Sequence, residues 1–343
     1  MTESPRLVLT LGLALLAVSM LAGVLTGPAA ISSGDLARAL LQPFGLAGSD
    51  PGAGWQGVVL WQVRLPRVLT GAMVGAALAL SGAILQGLFR NPLASPSVLG
   101  VASGASLGAV LAIFFGLAAT RVWALPLCAF AGAGLTLFSV YAIASRGAST
   151  PMATLLLAGI ALGAFNVAMS SFVLALALEN WEVGKSIVYW TMGGLEGRTW
   201  DHVLLILPFL LIGLVSVRAY PRDLDALLLG EMQAAAVGVD VPRTRLVLLL
   251  ITALLTAAAV AVAGGIGFIG LIVPHLVRLL IGPYHRWLLP VSAVAGALVL
   301  VSADLALRLL FTGSEIPLGV VTAAFGAPFF LFLLLRQRGM MTL

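Results

Sequence analysis

Long uncharged runs alternate with short polar interruptions along almost the whole chain. Leu7–Gly27 and Val68–Leu88 carry no charged residue, and about 20 apolar residues in a helix suffice to cross about 30 Å of hydrocarbon. The pattern predicts ten such spans, at about 7–27, 66–88, 94–117, 122–144, 153–178, 202–220, 246–264, 267–282, 287–310 and 316–335. Polar turns separate them, the tightest being Arg90-Asn91-Pro92-Leu93 between the second and third spans. Gly71 and Gly75 stand four residues apart, as do Gly100, Gly104 and Gly108. Such spacing lets membrane helices meet at backbone distance. The expected fold is an all-α integral membrane protein, one transmembrane domain of ten helices over residues 1–343, with no linker to a second unit.

Three stretches lie between spans. Residues 28–63 hold a short helix from near Ser33 and a Gly/Pro-rich loop. Residues 179–201 carry Glu179, Glu182, Lys185, Glu196, Arg198 and Asp201. Residues 218–245 form the longest polar loop, in which Leu224–Val237 is expected to make a short amphipathic helix closed by Gly238. An even number of spans puts both termini on one side, and Arg6, Arg336 and Arg338 favour the cytoplasm. In that orientation eleven basic residues face inward against seven outward, and the segments 28–63 and 179–201 are external. Pro28-Ala29-Ala30 after the first apolar run looks like a leader-cleavage site. A leader's apolar core is only about 7–15 residues long, so a retained first span is the expectation.

Composition supports this class. Hydrophobic residues make up 61% of the chain and charged ones 9%, against about 25% charged in soluble domains. Basic residues exceed acidic ones by five but are scattered, so no nucleic-acid footprint is present. Cys128 is the single cysteine, which excludes a disulfide within the chain. Gly184-Lys185-Ser186 ends like a phosphate-binding loop, but Glu179 stands where that loop needs glycine. Gly265, Gly267 and Gly270 match a dinucleotide fingerprint without its later acidic residue. His202, His275 and His285 have no metal-ligand spacing, and no nucleophile–base set is visible. The chain is not expected to be an enzyme or to hold a metal or cofactor.

Several spaced motifs occur in order: Arg64 to Gly108; Leu229-Gly230-Glu231 with Gly238-Val239; Gly265-Ile266-Gly267-Phe268-Ile269-Gly270-Leu271 leading to Pro274-His275 and Arg278; and Asp304, Arg308, Glu315–Val320 and Gly326-Ala327-Pro328. Together they resemble the FecCD-type permeases, membrane subunits of binding-protein-dependent ABC importers for iron-siderophore complexes, heme and cobalamin. Val237 replaces the family's usual leucine. The resemblance implies a permease in the bacterial inner membrane that moves a ferric-siderophore or heme-type complex from periplasm to cytoplasm by alternating access, with cobalamin as the alternative cargo. It implies a second copy of the chain, two ATP-binding cassette subunits that hold the ATP and magnesium, and a periplasmic or lipid-anchored binding protein.

The resemblance also implies roles for single residues. Arg64, Arg67 and Arg308 would dock carboxylates of the binding protein, for which an arginine fork is suited. The residues alone equally fit snorkelling at a helix end and an Arg308–Asp304 pair at i,i+4. Asn91 and Leu93, with Ser149 and Thr150, would form the cytoplasmic gate, although Asn-Pro favours turns on its own account. Leu229, Gly230, Glu231, Gly238 and Val239 would couple the permease to its ATPase. Phe165, Asn166, Met169, Phe172, Tyr189 and Met192 would face the pathway, a pattern that helix packing also produces. From a different class, an ion-coupled secondary transporter would need membrane-embedded titratable groups, for which Asp304 and His275 are the candidates.

Overall fold

The computed structural model describes residues 4–27, 34, 54–145, 152–311 and 316–341. Among these, every predicted span coincides with a helix. Seven segments are long and apolar enough to cross a membrane. They are α1 (Pro5–Leu25), Trp55–Leu88 with α2 (Leu65–Leu88) as its main part, α4 (Ala124–Ala144), α5 (Met152–Ala177), α7 (Trp200–Ala219), α10 (Val241–Ala263) and α12 (His285–Leu310). Three are shorter in their apolar part: α3 (Val101–Phe114), α11 (Ile269–Ile281) and α13 (Leu318–Met341). Between them lie α6 (Trp181–Met192), α8 (Pro221–Leu228) and α9 (Glu231–Ala236).

Two predicted elements are broken where the backbone turns left-handed. The span expected at 94–117 consists of a tight turn, Pro96–Leu99, and then α3, divided at Gly100 with φ 73°. The amphipathic helix expected over 224–237 is instead the pair α8 and α9, divided at Gly230 with φ 120°. A residue with a Cβ avoids that region, so a glycine there ends one helix and lets the next set off in a new direction. The short helix expected near Ser33 lies outside the described residues, apart from Gly34.

α2 is the central post. The segment Trp55–Leu88 is 83% buried across its most apolar stretch and Val241–Ala263 is 78% buried, whereas α1 and α5 are 11% and 17% buried. α2 packs against α12, α10, α11 and α7, and small residues make these approaches possible. A Cβ added to Gly75 would collide with the carbonyl of Gly296 on α12, and one on Gly296 with the carbonyl of Gly75. Lipid tails are as apolar as leucine, so close van der Waals contact rather than water exclusion holds such helices together.

Candidate functional site

At the end of the bundle where α1 finishes, four arginines converge. Arg67 grips Asp304 of α12 with both arms of its fork, Nη2 to Oδ1 at 2.7 Å and Nε to Oδ1 and Oδ2 at 3.1 and 3.2 Å. Arg308, one turn beyond Asp304, places its Nε 3.1 Å from Oδ2. Its Nη1 donates to the carbonyls of Gly23 and Thr26 at 2.9 and 3.1 Å. Arg64 donates from Nη1 to the carbonyls of Val24 and Leu25 at 3.1 and 2.8 Å. The last carbonyls of a helix lack intrahelical donors and carry its negative dipole end, so two guanidiniums cap α1 and fasten it to α2 and α12. Asp304 is only 2% exposed and Arg64 only 4%.

Arg198 completes the cluster. It follows α6, and its Nη2 lies 3.4 Å from the carbonyl of Gly194. Burial pushes its guanidinium down to about 10; Glu196 pulls it upward, and the nearby charge of Arg67 pushes it further down. It therefore stays cationic at neutral pH. Beside it opens a cavity of about 590 Å³ bordered by Glu182, Ser186, Tyr189, Trp190, Glu196 and Arg198. Asn180 starts the wall of this cavity by accepting the N–H of Val183 at the head of α6. Tyr189 and Met192 are both exposed on α6.

The opposite end carries α8 and α9. Asp225 of α8 accepts both the backbone N–H and the ring Nδ1–H of His285, at 2.9 and 2.7 Å. His285 is wholly buried at the first residue of α12, and its ring packs on Gly87 in the last turn of α2. Asp223 accepts from Thr244 of α10 at 3.3 Å, and Glu231 of α9 pairs with Arg245 of α10. The two short helices are thus braced against α10 and α12. They present an apolar tip: Leu229, Met232 and Val237 are 71%, 83% and 70% exposed. Gly230 and Gly238 both have positive φ, and Val239 lies half-buried behind α9.

Asn91 and Leu93 lie at this same end, in the turn that leaves α2. The N–H of Asn91 donates to Gln86 at 3.1 Å, and the side chain of Asn91 accepts the N–H of Leu93 at 2.9 Å. Both residues are exposed. Gln86 in turn donates to the carbonyl of Leu271 on α11 at 2.9 Å. The turn therefore sits four residues from the His285–Gly87 contact. Ser149 and Thr150 lie outside the described residues.

The predicted pathway residues on α5 do not share one face. Phe165 and Phe172 are exposed, Met169 is half-buried, and Asn166 points the other way. The amide of Asn166 donates to Thr136 of α4 at 3.0 Å and reaches Ser103 of α3 at 3.4 Å, a polar clasp among three spans. Of the alternatives for a relay, Asp304 is occupied by two arginines and His275 is buried on α11. Among the described residues no group of three His, Cys, Asp or Glu side chains is placed to hold a metal ion. Sequence reading missed the grip of Arg67 on Asp304, the place of Arg198 beside it, and the pairing of Asp225 with His285. The partners are 237 residues apart in the first case and 60 in the last, and no local spacing reports either.

Likeness to known proteins bears on these features. Residues 15–336 match the family model described as the FecCD transport family. The cobalamin import system permease protein of Halobacterium salinarum is 50% identical over 277 residues, 81% of this chain and 73% of that protein. The Fe(3+) dicitrate transport system permease protein of Escherichia coli is 44% identical over 282 residues, 82% of this chain and 86% of that protein. A solved metal-chelate-type ABC transporter in an inward-facing conformation superposes with a TM-score of 0.82 at 33% identity, covering 97% of this chain and all of that one.

Proposed function

The chain belongs to the FecCD transport family and is the permease of an ABC importer; from that premise we propose that two copies enclose a pathway for a bulky metal chelate. The cargo is a ferric-siderophore or heme-type complex, with a corrinoid as the second reading, favoured by the 50% identical cobalamin permease. In this reading both termini are cytoplasmic, in a bacterial inner membrane. The arginine end faces outward and the α8–α9 end inward. The four arginines outnumber Asp304 and Glu196, so the outer end carries a positive field that draws carboxylates of a binding protein. Arg64, Arg67 and Arg308 act there from within a fastened network.

The observation that carries the proposal is the braced apolar tip. A short helix pair whose hydrophobic residues face outward, yet whose acids are tied to α10 and α12, suits a groove on a partner and passes that partner's movement to the spans. The partner is an ATP-binding cassette subunit, which holds the ATP and magnesium and performs the hydrolysis. Asn91 and Leu93 lie next to the point where that movement arrives, and Ser149 and Thr150 are assigned to the same inner gate. Phe165, Met169, Phe172, Tyr189 and Met192 offer the adaptable apolar surface that a chelate needs. Asn166 serves that surface indirectly, by holding α5 in place.

Purification of the tagged chain from native membranes in mild detergent tests this. An ATPase is expected to co-elute in equal amount, and Met232→Asp is expected to remove it. A chain that elutes alone and transports without ATP overturns the reading. Hydrolysis stimulated by one loaded binding protein over another then separates iron chelates from corrinoids. Asp225→Ala is expected to keep the ATPase bound while lowering transport per ATP at least about tenfold, because the lost contact leaves His285 unpaired in a buried site. Unchanged transport per ATP in that variant removes the Asp225–His285 contact from the coupling route.

A further inference from the structure

Between α4 and α10 runs a cleft of about 350 Å³ in which Tyr141 supplies the one polar side chain. On α10 it is lined by Leu246, Leu250, Ala253 and Ala257, a stripe at spacings of three and four that marks one helix face. The next position down that stripe is Arg243, three residues before Leu246 and exposed. On α4 the lining runs from Phe130 through Gly134 to Tyr141, so the phenol and the guanidinium both stand at the α8–α9 end. Phe138 at the rim is 70% exposed. We propose that this cleft holds one acyl chain of an anionic phospholipid, whose headgroup is bound at Arg243 with Tyr141 at the same level.

The dimensions select this occupant. From Leu246 to Ala257 the helix rises about 16 Å, and one leaflet of hydrocarbon is about 15 Å deep. A cleft of about 350 Å³ lined along that length by leucine, alanine and phenylalanine offers an extended methylene chain apolar contact from end to end. The wall is apolar for one leaflet's depth and ends in a cation and a tyrosine, the sequence of environments that a lipid itself presents.

Gly134 gives a clean test, since a Cβ added there meets no atom within 4 Å. Gly134→Phe fills the cleft from open space and Leu250→Trp closes its mouth. Arg243→Gln removes the headgroup charge from an exposed position. The full-length protein, stripped of lipid and titrated with phosphatidylglycerol or phosphatidylcholine of identical chains, is examined by native mass spectrometry. The wild type is expected to retain one phosphatidylglycerol per copy, about fivefold more tightly than phosphatidylcholine, the preference expected from one basic residue near an anionic headgroup. Gly134→Phe and Leu250→Trp are expected to lose retention of both lipids at least about tenfold, and Arg243→Gln to erase only the preference. Equal retention of the two lipids by the wild type, or unchanged retention in both cleft-filling variants, overturns the proposal. The readout needs no transport, so it stands or falls apart from the importer reading.

Discussion

Asp304→Ala is expected to lower the stability of the bundle by about 3–5 kcal/mol, the cost of leaving buried charge without its partner. Asp304 is the shared anion of Arg67 and Arg308, and the side chains of all three are largely buried. Removing the carboxylate leaves two like charges facing each other where water has little access. Arg308 also caps the end of α1, and α1 is only 11% buried across its most apolar stretch, so its attachment rests heavily on this corner. The measurement is thermal unfolding in detergent, with protease accessibility after α1 as a local probe. Replacing all three with apolar residues of similar volume, Arg67→Met, Asp304→Leu and Arg308→Met together, is expected to recover much of the loss, because the desolvation penalty of the ions disappears with them. An Asp304→Ala protein that melts with the wild type would show that the triad contributes nothing to stability.

Gly82→Val is expected to prevent assembly of the bundle altogether. A Cβ at this position collides with the carbonyl carbon and oxygen of Gly270 on α11, and a backbone group cannot rotate aside as a side chain does. The approach is reciprocal, since a Cβ added to Gly270 would meet the carbonyl of Leu78, also on α2, and the ring of Pro96. Overpacking that side chains can relieve costs about 1–3 kcal/mol; parting two central helices costs more, because every contact along their seam weakens together. Gly134→Ala supplies the contrast: in open space on a helix it is expected to be neutral or to stabilise by up to about 1 kcal/mol. Expression in membranes and monodispersity in detergent report both. A well-folded Gly82→Val protein would mean that α2 and α11 are not in backbone contact.

Much of the fold was legible because membrane helices advertise themselves locally. Each of the ten apolar runs contains a helix, seven of them in segments long and apolar enough to cross a membrane, because burial in hydrocarbon demands a composition that a short window reveals. The glycine spacing at Gly71–Gly75 and Gly100–Gly108 likewise marked seams that are in contact: α2 on α12 and α3 on α4. The break of 224–237 into α8 and α9 was not legible, since Gly230 inside an amphipathic pattern reads as a tolerated residue until its φ of 120° is known. Asn166 illustrates a second feature that local reading leaves out. A polar residue between phenylalanines on an apolar helix suggests a pathway lining, and only the positions of Thr136 and Ser103 reveal that it clasps three spans.

Chain length, hydropathy and motif order alone decided that this is a helical membrane permease with many apolar helices. Those properties are sums over neighbouring residues, and no folding is needed to evaluate them. Tertiary structure alone decided what the charged residues do. Whether Arg67 meets Asp304, 237 positions away, or Asp225 meets His285, 60 positions away, depends on how α2, α8 and α12 are packed. In a low-dielectric bundle a charge is stable only beside its partner, and that partner is chosen by the packing of helices rather than by their order.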